Sequence, residues 1–181
     1  MKTKKLYSSV LLTVAFLMAT SGLNIFKIAP TTNTTPTTEA YGNKAALADK
    51  DLTVTEMITY AIQDEYLAHG EYVAITETFN VSRPYSNILK SEETHLSLLK
   101  KLTEAYNISF PKDDSASHLV VPSNLLEAAK TGVQAEIDNI AMYDLFLSYE
   151  LPVDVRKTFI ALKKASLNHL KAFEKQVDRL S

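Results

Sequence analysis

Four stretches of this chain carry an apolar seam at alternating three- and four-residue spacing, and each seam is interrupted near its middle by groups able to bind metal. The first runs Val54, Ile58, Ala61, Glu65, Ala68, Tyr72, Ile75, Phe79, so a carboxylate sits where a core residue belongs. The second is Tyr85, Ile88, Glu92, His95, Leu99, Leu102, Tyr106. The third is Leu125, Ala129, Gly132, Glu136, Asn139, Tyr143, Phe146, and the fourth is Val155, Phe159, Leu162, Ser166, His169, Phe173. Seams of this kind line one stripe of a helix and turn it toward a common core. Their polar members therefore meet inside.

An ionised carboxylate in an apolar core is disfavoured by several kcal/mol or more unless it is compensated. Glu65, Glu92, His95, Glu136 and His169 fall at one level of the four seams, and a divalent cation is the simplest shared partner. The Glu92-x-x-His95 spacing puts both groups on one helical face a turn apart, as carboxylate-bridged metal sites between helices require. His169 holds the matching place on the last helix, but Ser166 stands where its glutamate would be. Serine is too short and too weakly basic to bridge two ions. Asn139, a turn beyond Glu136, is a candidate donor behind the ligands together with Ser166, because neutral amides bind transition metals poorly. His69 follows Glu65 by a turn but lies beside the seam, which makes it a further candidate for outer contact. The competing reading is a buried polar network in which the carboxylates accept from histidine, asparagine and tyrosine.

The helix boundaries are written in the same sequence. Thr53-x-x-Glu56 is a capping-box pattern opening a predicted helix over 53–79, and the Asn80 to Pro84 break precedes a second over 85–106. A break that short makes the two antiparallel neighbours. Residues 107–121 form a long connection. The second helix, about 23 residues and about 35 Å, is shorter than the reach of fifteen extended residues, about 50 Å, so this connection can cross the whole assembly. A third helix is predicted over 123–148, and Pro152 suits the first turn of a fourth that runs almost to the C-terminus. The expected fold class is all-α: an antiparallel four-helix bundle over residues 51–181, two hairpins joined by a long crossover, which is the ferritin-like arrangement.

Residues 52–177 also resemble a family, the uncharacterised ferritin-like domain of unknown function 2202 found in exported and other prokaryotic proteins. The resemblance rests on Ser91-Glu92-Glu93-Thr94-His95-Leu96, on Gly132-Val133-Gln134-Ala135-Glu136-Ile137-Asp138, and on Ser166-Leu167-Asn168-His169-Leu170-Lys171-Ala172-Phe173. The last string is the most specific, since the resemblance includes a serine where most di-iron proteins have glutamate. It implies a ferritin-like fold and a metal site, and no known reaction.

The N-terminal sequence predicts export. Lys2, Lys4 and Lys5 precede an apolar run from Val10 to Met18, with small Ala19 and Ser21 at cleavage-like spacing, so residues 1–21 read as a signal peptide. The alternative is a retained anchor, since apolar residues resume at Leu23, although Ser21, Asn24 and Lys27 break the roughly 20-residue apolar stretch that a span needs. Residues 22–50, rich in Thr and Pro, read as a flexible tether to the cell envelope. Loss of the four lysines among the first thirty residues leaves fifteen basic against twenty-one acidic residues, a formal charge of −6, which argues against nucleic acid as a partner.

With no cysteine, disulfides, thiolate metal sites and iron–sulfur clusters are excluded, and so is a built-in rubredoxin-type electron relay. Oxygen and imidazole donors without sulfur suit iron, which is favoured, or manganese or zinc. Two divalent ions, three carboxylates and one hydroxide would be neutral. The chain shows no phosphate loop or nucleophile elbow, so nucleotide-binding and hydrolase readings have no support. Tyr72, Tyr143 and Phe146 are expected to be core, His118 solvated, and Asp64, Glu71 and Glu93 outward or boundary charges. The partner expected is a metal ion, with a homodimer compatible with the chain. The expected function is an exported metal-binding protein with an incomplete site for iron, oxygen or peroxide chemistry; the alternative is a non-catalytic interaction module.

Overall fold

The computed structural model describes residues 40–181, and these are all-helical apart from their connections. The expected signal peptide and most of the expected tether lie outside the described residues. Five helices follow in order: α1 (Asn43–Ala48), α2 (Val54–Phe79), α3 (Tyr85–Ala105), α4 (Leu125–Leu147) and α5 (Val153–Leu180). A 3₁₀ turn, Ser115–Ser117, sits in the connection between α3 and α4. Among the described residues no helix is long and apolar enough to cross a membrane.

Two of the four long helices, α2 and α4, begin at side-chain caps, whereas α3 and α5 follow prolines. Thr53 Oγ1 accepts from the Glu56 amide at 3.3 Å while Glu56 accepts from the Thr53 amide at 2.7 Å, so two of the orphan amides of the first turn are satisfied reciprocally. Asn124 caps α4 by accepting from the Glu127 amide at 2.9 Å. Asn80, in the left-handed conformation at φ 49°, ends α2 and leads into the short break before α3. Pro152 is the residue before α5 and not its first helical residue, one position from expectation. Arg156 closes the α4–α5 turn by donating to the Leu147 and Tyr149 carbonyls, which the end of α4 leaves free.

Packing follows the seams. Helix α2 lies against α3 and α4, while α5 lies against α4 and α3, so each long helix has two long neighbours. Two apolar clusters result, one around Ile58, Leu99, Phe146, Phe159 and Leu162, the other around Tyr72, Ile75, Tyr85, Ile88 and Phe173. Burying each such side chain contributes roughly 1.5–3 kcal/mol, and the polar groups of all four seams lie between the clusters. Gly132 is needed at its place in the α4 seam. A Cβ there would stand 2.8 Å from the Phe173 ring, a clash with a fully buried neighbour.

The tether prediction needs correction at its end. Residues 22–50 were expected to be flexible, yet α1 packs on α2 and α4 with Tyr41, Asn43 and Ala46 buried. Gly42 makes this docking feasible, since its φ of +56° suits glycine and a Cβ there would lie 2.7 Å from Asp64 Oδ1. The Ala45-Ala46-Leu47-Ala48 segment supplies the apolar face that the Thr/Pro-rich stretch lacks.

Candidate metal centre

The structure brings together all five residues singled out as ligands. They form two buried groups, Glu65 with Glu92 and His95, and Glu92 with Glu136 and His169; within each, the candidate donor atoms lie within 4.8 Å of one another. Glu92 belongs to both. Its Oε2 lies 2.8 Å from His95 Nδ1 and its Oε1 lies 3.2 Å from His169 Nδ1, so one carboxylate offers an oxygen to each side. Glu65 Oε2 is 3.0 Å from His95 Nδ1, and Glu136 Oε1 is 3.4 Å from His169 Nδ1. The two imidazoles stack with ring centroids 5.7 Å apart.

Groups behind these five hold them in place. Ser91 Oγ lies 3.0 Å from His95 Nε2, so Nε2–H can donate to the hydroxyl while Nδ1 faces the carboxylates, donating a proton to them or, once that proton is displaced, offering its lone pair to a cation. Tyr143 donates to Glu65 Oε1 at 2.9 Å, and Tyr72 donates to Glu136 Oε1 at 3.1 Å. Both tyrosines are fully buried, as core residues should be, and each also spends its hydroxyl on a site carboxylate, a role not expected from the sequence. The signal was present as a repeat, because each tyrosine follows a seam glutamate on its own helix by seven residues, Glu65 to Tyr72 and Glu136 to Tyr143.

Where a fourth glutamate would stand, Ser166 donates to Asn139 Oδ1 at 2.6 Å and Asn139 Nδ2 donates to Asp64 Oδ2 at 2.5 Å. The Asn43 amide of α1 completes the chain by donating to Asp64 Oδ1 at 2.9 Å. Asp64 is therefore buried, contrary to the expectation of a boundary charge, because α1 covers the face of α2 that sequence periodicity left open. Burial pushes its carboxyl up to about 6 despite the bonds from Asn139 and Asn43. Glu71 is half-buried, its carboxyl pushed up to about 7 by burial and then by Asp64. Glu93 is exposed as expected. His69 does not reach the site: it is one-third exposed and stands 3.9 Å from Glu93 on the surface. His118 is half-buried and not solvated, stacked on Tyr41 at 4.2 Å between ring centroids.

The electrostatics show what so many buried ionisable groups do to one another. Burial and then the Glu92 charge drive the Glu65 carboxyl well above its ordinary range, and burial likewise raises Glu136. Burial opposes the ionisation of Glu92 too, but hydrogen bonding with Glu65, His169 and His95 outweighs it and holds that carboxyl well below the usual range. The histidines move the other way. Burial would neutralise them, yet Glu65 and Glu92 lift His95 to about 10, and Glu136 and Glu92 lift His169 to about 9. Without a metal, protons supply the compensating charge. The lone pairs they occupy are those a cation would use, so the donor set fits a divalent ion of the iron, manganese or zinc type in exchange for protons.

No protein-family model matches the chain. The chain is similar to uncharacterized protein MJ0754 of Methanocaldococcus jannaschii, with 27% identity over 131 residues that cover 64% of this chain and 70% of that protein. The crystal structure of hypothetical protein MJ0754 from Methanococcus jannaschii DSM 2661 aligns with a TM-score of 0.64 at 21% identity, covering 73% of this chain and 85% of that one. The two chains share a fold.

Proposed function

We propose that this chain is an exported, ferritin-like four-helix protein that binds one or two divalent transition-metal ions, iron above manganese and zinc. One observation carries the reading: two buried carboxylate–histidine groups share Glu92, with each of its oxygens directed to a different histidine. A shared carboxylate between two such groups is how ferritin-like sites join paired ions. The pairing of α2 with α3 and α4 with α5, and the long connection between α3 and α4, support the ferritin-like assignment, as do the three sequence strings that resemble the domain of unknown function 2202. Export rests on the residues before Gly22, whose basic start, apolar middle and small residues follow signal-peptide order.

In this reading the chain's own groups bind and orient the ion. Glu65, Glu136, His95 and His169 would each hold an ion from one triad, and Glu92, common to both triads, would contribute to each. Tyr143, Tyr72 and Ser91 fix their orientations, and the flanking apolar clusters exclude bulk water. A bound iron would supply redox chemistry, and with no cysteine-based relay in the chain its electrons would come from elsewhere.

Elemental analysis of protein purified without chelators should find about one to two ions per chain, a number set by the three carboxylates of the two triads. Chelation should then lower the melting temperature. Metal-free protein indifferent to added iron, manganese and zinc would overturn the reading. The second reading, a structural polar network in an interaction module, is favoured by the ability of the five groups to pair among themselves, and that result would establish it.

A further inference from the structure

A cavity of about 30 Å³ lies beside the two triads, with Glu65, Glu92, Glu136 and Ser166 in its wall and Leu67 and Glu71 at its half-buried rim. That is about twice the space a single water requires. The serine in place of a fourth glutamate leaves this room. The donors around the cavity are directed back into the wall. The Ser166 hydroxyl is bonded to Asn139 Oδ1 and the Leu162 carbonyl, Tyr72 donates to Glu136, and the Asn43 amide donates to Asp64. Carboxylate oxygens dominate the lining, from half-buried Glu71, which accepts from the Val120 amide and feels the exposed Lys44 of α1, through Asp64 to the triads. A space lined this way accepts a cation with a water or two and repels an anion.

We propose that this cavity is the route by which a partly dehydrated divalent cation reaches the triads, passing between α2 and α4 beside the first turn of α1. The proposal rests on the metal-binding reading and adds to it a direction of approach. Glu71 is the first carboxylate the ion meets, and it belongs to neither triad. Leu67 stands at the rim one turn before it, where a larger side chain would narrow the opening. The α1 contact keeps one lip in place through the Asn43–Asp64 bond, and the glycine at position 42 allows that close approach.

The test is the rate at which the full chain, stripped of metal, takes up cobalt(II), followed by the visible absorbance of the bound ion, together with cobalt per chain at equilibrium. Measured above about pH 7, where the Glu71 carboxyl is ionised, Glu71→Gln should slow uptake about threefold and Leu67→Trp about tenfold, while cobalt per chain stays at the wild-type value, since charge focusing in clefts acts on approach and not on the final ligands. Glu93→Gln, an exposed charge on α3, should change neither quantity. Should Leu67→Trp fold poorly, Glu71→Gln carries the test alone. Unchanged uptake in Glu71→Gln, or equal slowing in Glu93→Gln, would overturn the route while leaving metal binding intact. Wild-type protein that takes up no cobalt would overturn the binding reading itself.

Discussion

The α2–α3 half and the α4–α5 half of the site are near repeats of one another, and they differ at one decisive position. Glu65 and Tyr72 on α2 correspond to Glu136 and Tyr143 on α4, with each tyrosine bonding the other half's glutamate. On α3 the pair is Glu92-x-x-His95, whereas on α5 it is Ser166-x-x-His169. The serine side is nonetheless fully hydrogen-bonded. Ser166, Asn139 and Asp64 form a hydrogen-bonded chain on that side, with Asp64 held inside by α1. The difference shows how a buried position can carry serine in one half and glutamate in the other with every polar group of the serine chain bonded, and with asymmetric charge and open space beside it as the result.

The largest effect should come from the residue the two halves share. Glu92→Ala removes an oxygen from each triad and leaves His95 and His169 facing fewer acceptors, so both positions should empty and cobalt or iron per chain should fall close to zero. Breaking a buried charged pair by removing one partner costs about 3 kcal/mol or more, so the metal-free variant should also melt earlier. Metal content and a denaturant titration on the same preparation measure both. Retention of one full ion would show that the halves are independent sites and not one bridged centre.

Ser166→Glu should repair the asymmetry. It supplies a second carboxylate at the bridging position and restores a Glu-x-x-His pair on α5, so occupancy should rise toward two ions per chain and oxygen-dependent iron oxidation should increase. Equilibrium metal content is the decisive measurement. A variant that destabilises the fold and gains no metal would favour the polar-network reading.

The third effect is on pH dependence, and its sign separates protons from metal as the compensating charge. Folding raises His95 to about 10 and His169 to about 9, from 6.5. A raised histidine contributes stability that is fully present below its unfolded value and is lost as pH rises through the folded value. Metal-free protein should therefore melt at progressively lower temperature between about pH 7 and about pH 10, whereas metal binding, which displaces those protons, should strengthen relative to it over the same range. Parallel curves with chelator and with zinc would mean that the histidines are not shared between the two states.

Much of this was legible in the sequence, because it depends on periodicity and capping. Val54–Phe79 and Tyr85–Ala105 lie within a residue of the predicted spans, and the five ligand candidates converge because helical spacing alone determines which face they occupy. What was not legible depends on pieces of chain meeting from a distance. Asp64 is adjacent to Glu65 and off the seam, and only the docking of α1 from the expected tether turns its position into an interior one. His118 lies in a connection with no period to read, and its stacking on Tyr41 joins residues that no local pattern relates. The tyrosines fall between these cases. Their burial followed from the seam, but their cross-site bonds require knowing that α2 faces α4.

The smallest predicted effect tests that cross-site exchange most directly. Tyr72→Phe and Tyr143→Phe each remove one hydroxyl from a fully buried ring and leave the packing intact, so each should cost about 1–2 kcal/mol from a lost hydrogen bond to a carboxylate. If the halves are equivalent apart from Ser166, the two losses should match in metal-free protein. With metal bound they should diverge. Glu65 lies 3.0 Å from its histidine, while Glu136, in the triad beside Ser166, lies 3.4 Å from its own, so Glu136 is held less tightly once its tyrosine is gone. Tyr72→Phe should therefore lower cobalt affinity more than Tyr143→Phe, by roughly threefold, the equivalent of about 0.7 kcal/mol. The reverse order in a competitive chelator titration would show that the Ser166 side is the better-ordered half and that the open space beside it does not weaken binding.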